Sequence, residues 1–123
     1  MAGILLVDDS KTVRILVRAM LEKLGHTVVG EAADGLEGCE KYFALKPDIT
    51  LVDITMPVMG GIATVQKITE KDKDAQIIIL TSNTNTDKLK NAVEANVSEI
   101  LFKPVDEHQL EEAINRILHK GDQ

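Results

Sequence analysis

Four short apolar runs place the tightest limit on how this chain can fold. They span residues 4–7, 49–52, 77–80 and 100–102, and only Thr50 breaks the pattern. A strand that is buried on one face alternates apolar with polar residues, whereas a strand that is buried on both faces is apolar throughout. The runs therefore indicate strands of a parallel sheet that is covered on both sides.

Segments with the 3.6-residue period of an amphipathic helix separate these runs and follow the last one. Their apolar positions are, in chain order, Val13, Leu16, Val17, Met20, Leu21, Leu24, Leu36, Cys39, Phe43, Ile62, Val65, Ile68, Leu89, Ala92, Val93, Leu110, Ala113, Ile114, Ile117 and Leu118. We expect Leu36, Cys39 and Phe43 to face inward, and residues 27–29 to form an outer strand. Strands that alternate with helices give a parallel sheet with right-handed crossovers. The sequence thus predicts an α/β fold of (βα)₅ order, a doubly wound five-stranded parallel sheet.

The composition narrows the class of protein. With 123 residues, 44% of them hydrophobic, we expect a single domain over 1–123 with an ordered core at about 3–119. The net charge of -6 argues against nucleic-acid binding, which needs a surplus of Lys and Arg. The apolar stretches are too short to cross a membrane, and the N-terminal residues lack the pattern of an export signal. The single cysteine, Cys39, suits a reducing compartment, so we expect a cytoplasmic protein.

Polar side chains of related chemistry follow the four buried runs. Asp8 and Asp9 follow the first run, and Asp53 follows the second. Thr81 follows the third run and Lys103 the fourth. Ligands of open parallel sheets bind at the carboxyl ends of the strands, so we expect these groups to converge. Each of them alone is compatible with an ordinary turn, helix cap or surface lysine, and only the joint pattern favours one site.

The predicted site has the chemistry of metal-assisted phosphoryl transfer. Clustered carboxylates repel one another unless a cation is present, and their hard oxygen ligands favour one Mg²⁺ ion. Lys103 can pair with a carboxylate at rest or with a phosphoryl oxygen, and Thr81 offers a hydroxyl donor. A carboxylate can itself be the nucleophile and form an aspartyl phosphate.

The order of these motifs resembles that of the receiver domain of bacterial response regulators. The motifs are Asp8-Asp9, Asp53-Ile54-Thr55-Met56-Pro57, Thr81-Ser82 and Lys103-Pro104. They span essentially the whole chain, and the D-x-x-M-P-x-M-x-G pattern at 53–61 is specific. The resemblance implies the flavodoxin-like strand order 2-1-3-4-5. Residues 29–32, 34–35 and 45–48 are most similar to those of single-domain, chemotaxis-type (CheY-like) receivers.

The resemblance also implies a role for each acidic residue. Asp53 would accept the phosphoryl group. One Mg²⁺ ion would be bound by Asp9, Asp53 and the backbone carbonyl of Thr55. Asp8 would act on the ion through a bound water.

Two further side chains would respond to the phosphoryl group. Thr81 would be the switch hydroxyl that moves toward it, and Lys103 would bind it and would form a cis bond with Pro104. The sequence departs from the family at Ile100, because an aromatic residue usually lies three positions before the lysine. By strand alternation, we expect Phe102 to face away from the side of the strand on which that aromatic residue usually lies.

The implied function is that of a response regulator in two-component signalling. A sensor histidine kinase would donate the phosphoryl group, and an output protein, in a process such as chemotaxis, would dock on the face formed by the last two predicted helices and the fifth strand. We expect no binding to DNA or membranes. Self-phosphorylation from phosphodonors and self-dephosphorylation would be the only chemistry, so we do not expect an enzyme.

Three alternatives stay open at this point. A Mg²⁺-dependent phosphohydrolase of the haloacid dehalogenase type uses an aspartyl intermediate, but it carries a D-x-D motif and a cap. A flavodoxin-like carrier shares the strand order, but two carboxylates after its first strand would repel the FMN phosphate. A receiver-like interaction module would signal without phosphorylation.

Overall fold

The computed structural model describes residues 2–54, 56, 59–82 and 97–119, and these residues form five strands and four helices. In chain order the elements are β1 (Gly3–Val7), α1 (Lys11–Lys23), β2 (Thr27–Ala32), α2 (Gly35–Leu45), β3 (Ile49–Asp53), α3 (Gly61–Lys71), β4 (Ile77–Thr81), β5 (Glu99–Phe102) and α4 (Glu107–Leu118). The helix predicted from Leu89, Ala92 and Val93 lies outside the described residues. The helix labelled α4 is therefore the one that the sequence predicts as the fifth.

The five strands form one parallel sheet in the order β2-β1-β3-β4-β5. The predicted α/β class, parallel sheet and strand order are thus confirmed. Since all the strands run in the same direction, their carboxyl ends meet at one edge of the sheet. The residues that follow β1, β3, β4 and β5 therefore lie near one another.

Two apolar layers cover the sheet, which explains why its central strands carry almost no polar residues. One layer packs Ile4, Leu6 and other residues of the sheet against α1 and α4. The other packs the alternate residues, among them Leu5 and Val7, against residues of α2 and α3. Every residue of β3 and β4 is buried. Burying one large aliphatic side chain contributes about 1.5–3 kcal/mol, so these layers hold the strand ends in fixed positions.

The predicted inward face of α2 is confirmed at Cys39, which packs against the apolar layer, and is wrong at the other two positions. Leu36 and Phe43 are 49% and 39% exposed, and the helix instead buries Gly38 and Tyr42. A Cβ atom on Gly38 would come within 2.8 Å of the Val7 side chain, so α2 packs closely on the sheet through a side that carries no side chain at this point. The close approach of the helix backbone to the Val7 side chain, and not the apolar period, decides which face is buried.

The first helix has a capping residue at its start and a glycine directly after its end. Ser10 caps α1, since its hydroxyl accepts a hydrogen bond of 3.2 Å from the Val13 N–H. The helix ends before Gly25, which has a φ of 92° and a left-handed conformation that favours glycine. The Ser10 cap places the start of α1 directly behind the acidic residues that follow β1.

Candidate functional site

Three carboxylates converge at the carboxyl edge of the sheet. Asp8 and Asp9 follow β1, and Asp53 ends the neighbouring strand β3. One carboxylate oxygen of each residue lies within 4.8 Å of the others. Asp8 and Asp53 are only 4% and 7% exposed, whereas Asp9 is exposed to solvent. The group therefore combines two buried acids with one that an ion from solvent can reach.

Each polar atom of Asp8 has a hydrogen-bond partner. Its N–H donates to the carbonyl of Ala32 at 3.0 Å, and its Oδ1 accepts from the Ser10 N–H at 2.9 Å. Its Oδ2 accepts from the Lys103 ammonium at 3.0 Å, and its carbonyl accepts from the Arg14 guanidinium. These contacts fix both the backbone and the side chain of Asp8. Arg14 belongs to none of the sequence motifs, so the sequence does not mark it as part of the site.

Lys103 supplies the positive charge of the site. Its Nζ lies 3.0 Å from Asp8 Oδ2 and 3.4 Å from Asp53 Oδ1. Burial alone would lower the pKa of this ammonium, but the hydrogen bond to Asp8 and the charge of Asp53 outweigh burial and raise the pKa above its ordinary value. Lys103 is thus charged at neutral pH and pairs with carboxylates at rest. Its bond to Pro104 is cis, as the resemblance implied.

Thr81 lies one strand away from Asp53. Asp53 pairs in register with Leu80, so Thr81 is the next residue along the neighbouring strand β4, and it is fully buried. The Lys103 N–H donates to the Thr81 carbonyl at 2.8 Å, which connects the ends of β4 and β5. The fold therefore places Thr81 at the same sheet edge as the acids. Thr55, the predicted carbonyl ligand, lies outside the described residues.

A family model for the response regulator receiver domain matches residues 4–115 of the chain. This chain belongs to that family. It is a CheY-like receiver domain of a two-component response regulator.

Similar proteins match this receiver over nearly its whole length. The chemotaxis protein CheY of Thermotoga maritima is 36% identical over 93% of this chain and 95% of its own length. Protein CcdB of Bacillus subtilis is 35% identical over 96% of this chain and 98% of its own. The crystal structure of a CheX–CheY complex with BeF3 and Mg²⁺ from Borrelia burgdorferi superposes with a TM-score of 0.90 at 28% identity, covering 94% of this chain and 88% of that one.

The Phe102 side chain, which directly precedes Lys103, lies on a different side of β5 from the one predicted. Ile100 packs against the apolar layer beneath α2 and α3, whereas Leu101 belongs to the opposite layer. Phe102, two residues after Ile100, lies on the same side of β5 as Ile100 and pairs in register with Thr81. The prediction that Phe102 faces the other way is therefore wrong. Phe102 is 43% exposed.

The start of α3 packs on the backbone of the candidate phosphoacceptor. A Cβ atom on Gly61 would overlap the carbonyl oxygen of Asp53, whereas a Cβ atom on Gly60 would have the Ile54 carbonyl as its nearest neighbour at 3.8 Å. Of these two glycines, only Gly61 requires the absence of a side chain. The two adjacent glycines at the end of the 53–61 motif are a sequence signal for a close backbone contact. The sequence alone does not tell which of the two makes that contact.

An apolar cavity of about 320 Å³ lies next to the site, between α1 and residues 103–105. Its walls include Leu16, Met20 and Val105, and almost all of its surface is apolar. A charged phosphoryl group would lose hydration against these apolar walls and gain few polar partners there. The carboxylate group, and not this cavity, is thus the candidate site for phosphoryl chemistry in the receiver.

No helix in the described part of the receiver is long and apolar enough to pass through a membrane.

Proposed function

We propose that this receiver accepts a phosphoryl group on Asp53 in a Mg²⁺-dependent reaction and thereby changes its affinity for a protein partner. The observation that carries the proposal is the convergence of Asp8, Asp9 and Asp53 beside the Lys103 ammonium. Among the described residues, one lysine ammonium pairs with this group of three carboxylates, so negative charge is in excess there. An additional cation would balance that charge.

The donor set fits Mg²⁺. Carboxylate oxygens are the ligands that this ion prefers, and it commonly uses one or two of them together with water. Asp9 and Asp53 would hold the ion with the carbonyl of Thr55, and Asp8 would act through water. Bound Mg²⁺ would offset the charge of the acids and of the incoming phosphoryl oxygens. The Mg²⁺ named in the Borrelia CheY complex supports this assignment.

Asp53 has the chemistry of a nucleophile in phosphoryl transfer. One of its carboxylate oxygens would form the new bond to phosphorus, while the bond between phosphorus and the donor breaks and its electron pair leaves with the donor. The ionised carboxylate carries no proton, so this step needs no general base. Lys103, already 3.4 Å from Asp53 Oδ1, would pair with a phosphoryl oxygen after transfer. Thr81 would donate its hydroxyl to another phosphoryl oxygen.

The proposed partners are a sensor histidine kinase, which donates the phosphoryl group, and an output protein, which binds the phosphorylated form. Phosphorylation would shift the receiver between two conformations that differ in affinity for the output protein. The similarity to CheY proteins supports a role in chemotaxis. We further propose that the protein acts in the cytoplasm and that its chemistry is limited to phosphorylation and dephosphorylation of Asp53.

Incubation with acetyl phosphate and Mg²⁺, followed by intact-mass measurement, tests the proposal. The wild type should gain one phosphoryl group, and the gain should disappear in Asp53→Ala and when Mg²⁺ is chelated. An unmodified wild type, or an equal gain in Asp53→Ala, would overturn the assignment. Sustained release of phosphate from small phosphate esters would instead support a phosphohydrolase.

A further inference from the structure

Arg14 of α1 joins the metal-site loop to the edge strand of the sheet. Its guanidinium donates to the carbonyl of Asp8, and its Nε lies 3.0 Å from Glu31 Oε1 on β2. The Arg14 side chain is 15% exposed, so this bridge is largely shielded from solvent. A guanidinium presents several donors in a rigid plane, and Arg14 uses that plane to connect two groups at once.

Glu31 is held as an ionised partner for this bridge. Its Oε2 lies 2.6 Å from Arg18 Nη1, and its backbone carbonyl accepts from the Lys41 ammonium. Burial raises the pKa of Glu31, but hydrogen bonds from Arg18 and Arg14 outweigh burial and bring the pKa below its ordinary value. Glu31 therefore keeps its negative charge at neutral pH and holds the Arg14 fork in one orientation.

The carbonyl that Arg14 binds occupies a special position in the site. It belongs to the peptide unit that connects Asp8 with Asp9, and that unit is planar. Fixing its oxygen fixes the orientation of the plane between the two acidic residues. Asp8 has further contacts through Ser10 and Lys103, whereas Asp9 is exposed. The Arg14 contact is thus placed to control where the Asp9 carboxylate points.

We infer that Arg14, braced by Glu31, is a positioning residue that orients the Asp8–Asp9 peptide so that Asp9 is ready to bind Mg²⁺. The inference rests on the proposed metal site. It assigns a function in ion binding to a side chain that contributes no ligand. It also extends the site to β2, which carries none of the three aspartates of the proposed metal site.

A positioning role and a purely electrostatic role of Arg14 predict opposite changes in Mg²⁺ affinity when the side chain is removed. A positive charge beside an acidic group repels Mg²⁺, so its removal alone would make Mg²⁺ bind more tightly. Loss of a positioning contact makes Mg²⁺ bind more weakly, and the loss of a hydrogen bond to a ligand-bearing group typically costs about tenfold or more in metal affinity. The direction of the change therefore separates the two roles.

Arg18→Gln is a matched control for Arg14→Gln. Both arginines pair with Glu31 from α1, but among the contacts of the described residues only Arg14 reaches the Asp8 carbonyl. Arg14→Lys keeps the charge and loses the planar fork. Glu31→Ala removes the brace and leaves Arg14 in place. Thermal unfolding without Mg²⁺ establishes that each variant is folded at the temperature of the assay.

The experiment measures the Mg²⁺ dissociation constant by titration of backbone amide resonances, without any phosphodonor. We expect Arg14→Gln and Arg14→Lys to raise the constant about tenfold, with Arg18→Gln within about twofold of the wild type. The amide resonance of Asp9 should also shift in the metal-free Arg14 variants and not in Arg18→Gln. An unchanged or lower constant in Arg14→Gln, or a wild-type constant in Arg14→Lys, would overturn the inference.

Three further outcomes also decide between the possibilities. If Arg14→Gln does not fold, Arg14→Lys and Glu31→Ala decide: raised constants in both support the inference, and a wild-type constant in either overturns it. If the wild type shows no Mg²⁺-dependent shifts, the metal site itself is wrong and the inference falls with it. If the wild type binds and the Arg14 variants bind equally well, the proposed function stands and only the inference fails.

Discussion

The Lys103 ammonium lies 3.4 Å from Asp53 Oδ1. Asp53 ends β3 and Lys103 follows β5, and these two strands are not neighbours in the sheet. The same ammonium lies 3.0 Å from Asp8 Oδ2, so it spans the edge of the sheet and balances two buried acids. This arrangement makes Lys103 an internal cation that holds the site together when Mg²⁺ is absent.

Lys103→Met should therefore destabilise the protein most strongly without Mg²⁺. Asp8 and Asp53 would be left buried without this cation, and we expect the free energy of unfolding to fall by about 1–3 kcal/mol. Added Mg²⁺ should stabilise the variant more than the wild type. Urea unfolding with and without Mg²⁺ measures both effects. Lys23→Met is the control, since Lys23 pairs with Glu107 on the surface and should change stability by less than about 1 kcal/mol. Equal losses in the two variants would contradict the account.

Gly61→Ala should be harmful, whereas Gly60→Ala should be tolerated. The new methyl group at Gly61 would overlap the Asp53 carbonyl, and the strain of such overpacking costs about 1–3 kcal/mol. The same methyl group at Gly60 would meet its nearest neighbour, the Ile54 carbonyl, at an ordinary contact distance. Denaturant unfolding and the phosphorylation yield of each variant provide the test. Similar behaviour of the two variants would show that α3 does not pack on Asp53 in this way.

Thr50→Val should stabilise the protein by about 1 kcal/mol. The Thr50 hydroxyl is fully buried in β3 and has no hydrogen-bond partner among the described residues, so replacing it with a methyl group removes an unpaired polar atom. Thr64→Val is the matched comparison. Its hydroxyl is also buried but donates to the Gly60 carbonyl at 2.8 Å, and its loss should destabilise by a similar amount. Chemical denaturation of both variants checks the opposite signs, and a loss of stability in Thr50→Val would indicate a partner for that hydroxyl.

Low pH should reduce the stability of the folded protein through protonation of His26. The His26 Nδ1 accepts a hydrogen bond of 3.0 Å from the Ala2 N–H, which requires an unprotonated nitrogen. Burial lowers the pKa of His26 below its ordinary value of 6.5, the N-terminal amino group lowers it further, and Glu111 acts in the opposite direction. The unfolded chain thus binds the proton more readily, so this contribution to stability is present above pH 6.5 and is lost as the pH falls from there through the lower pKa of the folded state.

His26→Gln isolates that contribution, because glutamine can accept a hydrogen bond without titrating. Unfolding of wild type and variant should be compared from pH 8 to pH 5, with the other two histidines present in both proteins. The stability of the wild type relative to the variant should decrease toward acid. A constant difference, or one that grows in acid, would contradict the lowered pKa.

Much of the fold follows from local patterns because both faces of the sheet are covered. The apolar runs of the central strands, which only Thr50 breaks, predict strands that are buried on both faces. Strand β2 extends beyond the predicted 27–29 to Ala32, since Gly30 and Glu31 interrupt the apolar pattern while their backbones still pair with Leu5 and Leu6. Backbone pairing at an edge strand does not depend on side-chain polarity, so the pattern underestimates its length.

The acids and the lysine of the site could be predicted for a related reason. Each follows a strand, and parallel strands bring their ends together. The contact between Arg14 and Glu31 joins a helix to an edge strand and depends on tertiary packing, which no sequence pattern reveals. The part of the buried face of α2 at Gly38 is likewise not predictable, because a glycine that lets the helix backbone approach the Val7 side chain has no apolar signal of its own.

The most direct test of the central claim is to locate the phosphoryl group by chemistry. After incubation with acetyl phosphate and Mg²⁺, borohydride reduces an acyl phosphate to the alcohol, so a phosphorylated aspartate becomes homoserine. Peptide mass spectrometry then identifies the position. The account predicts homoserine at position 53 alone, and only when Mg²⁺ was present. Homoserine at Asp8 or Asp9, or none at any position, would contradict it.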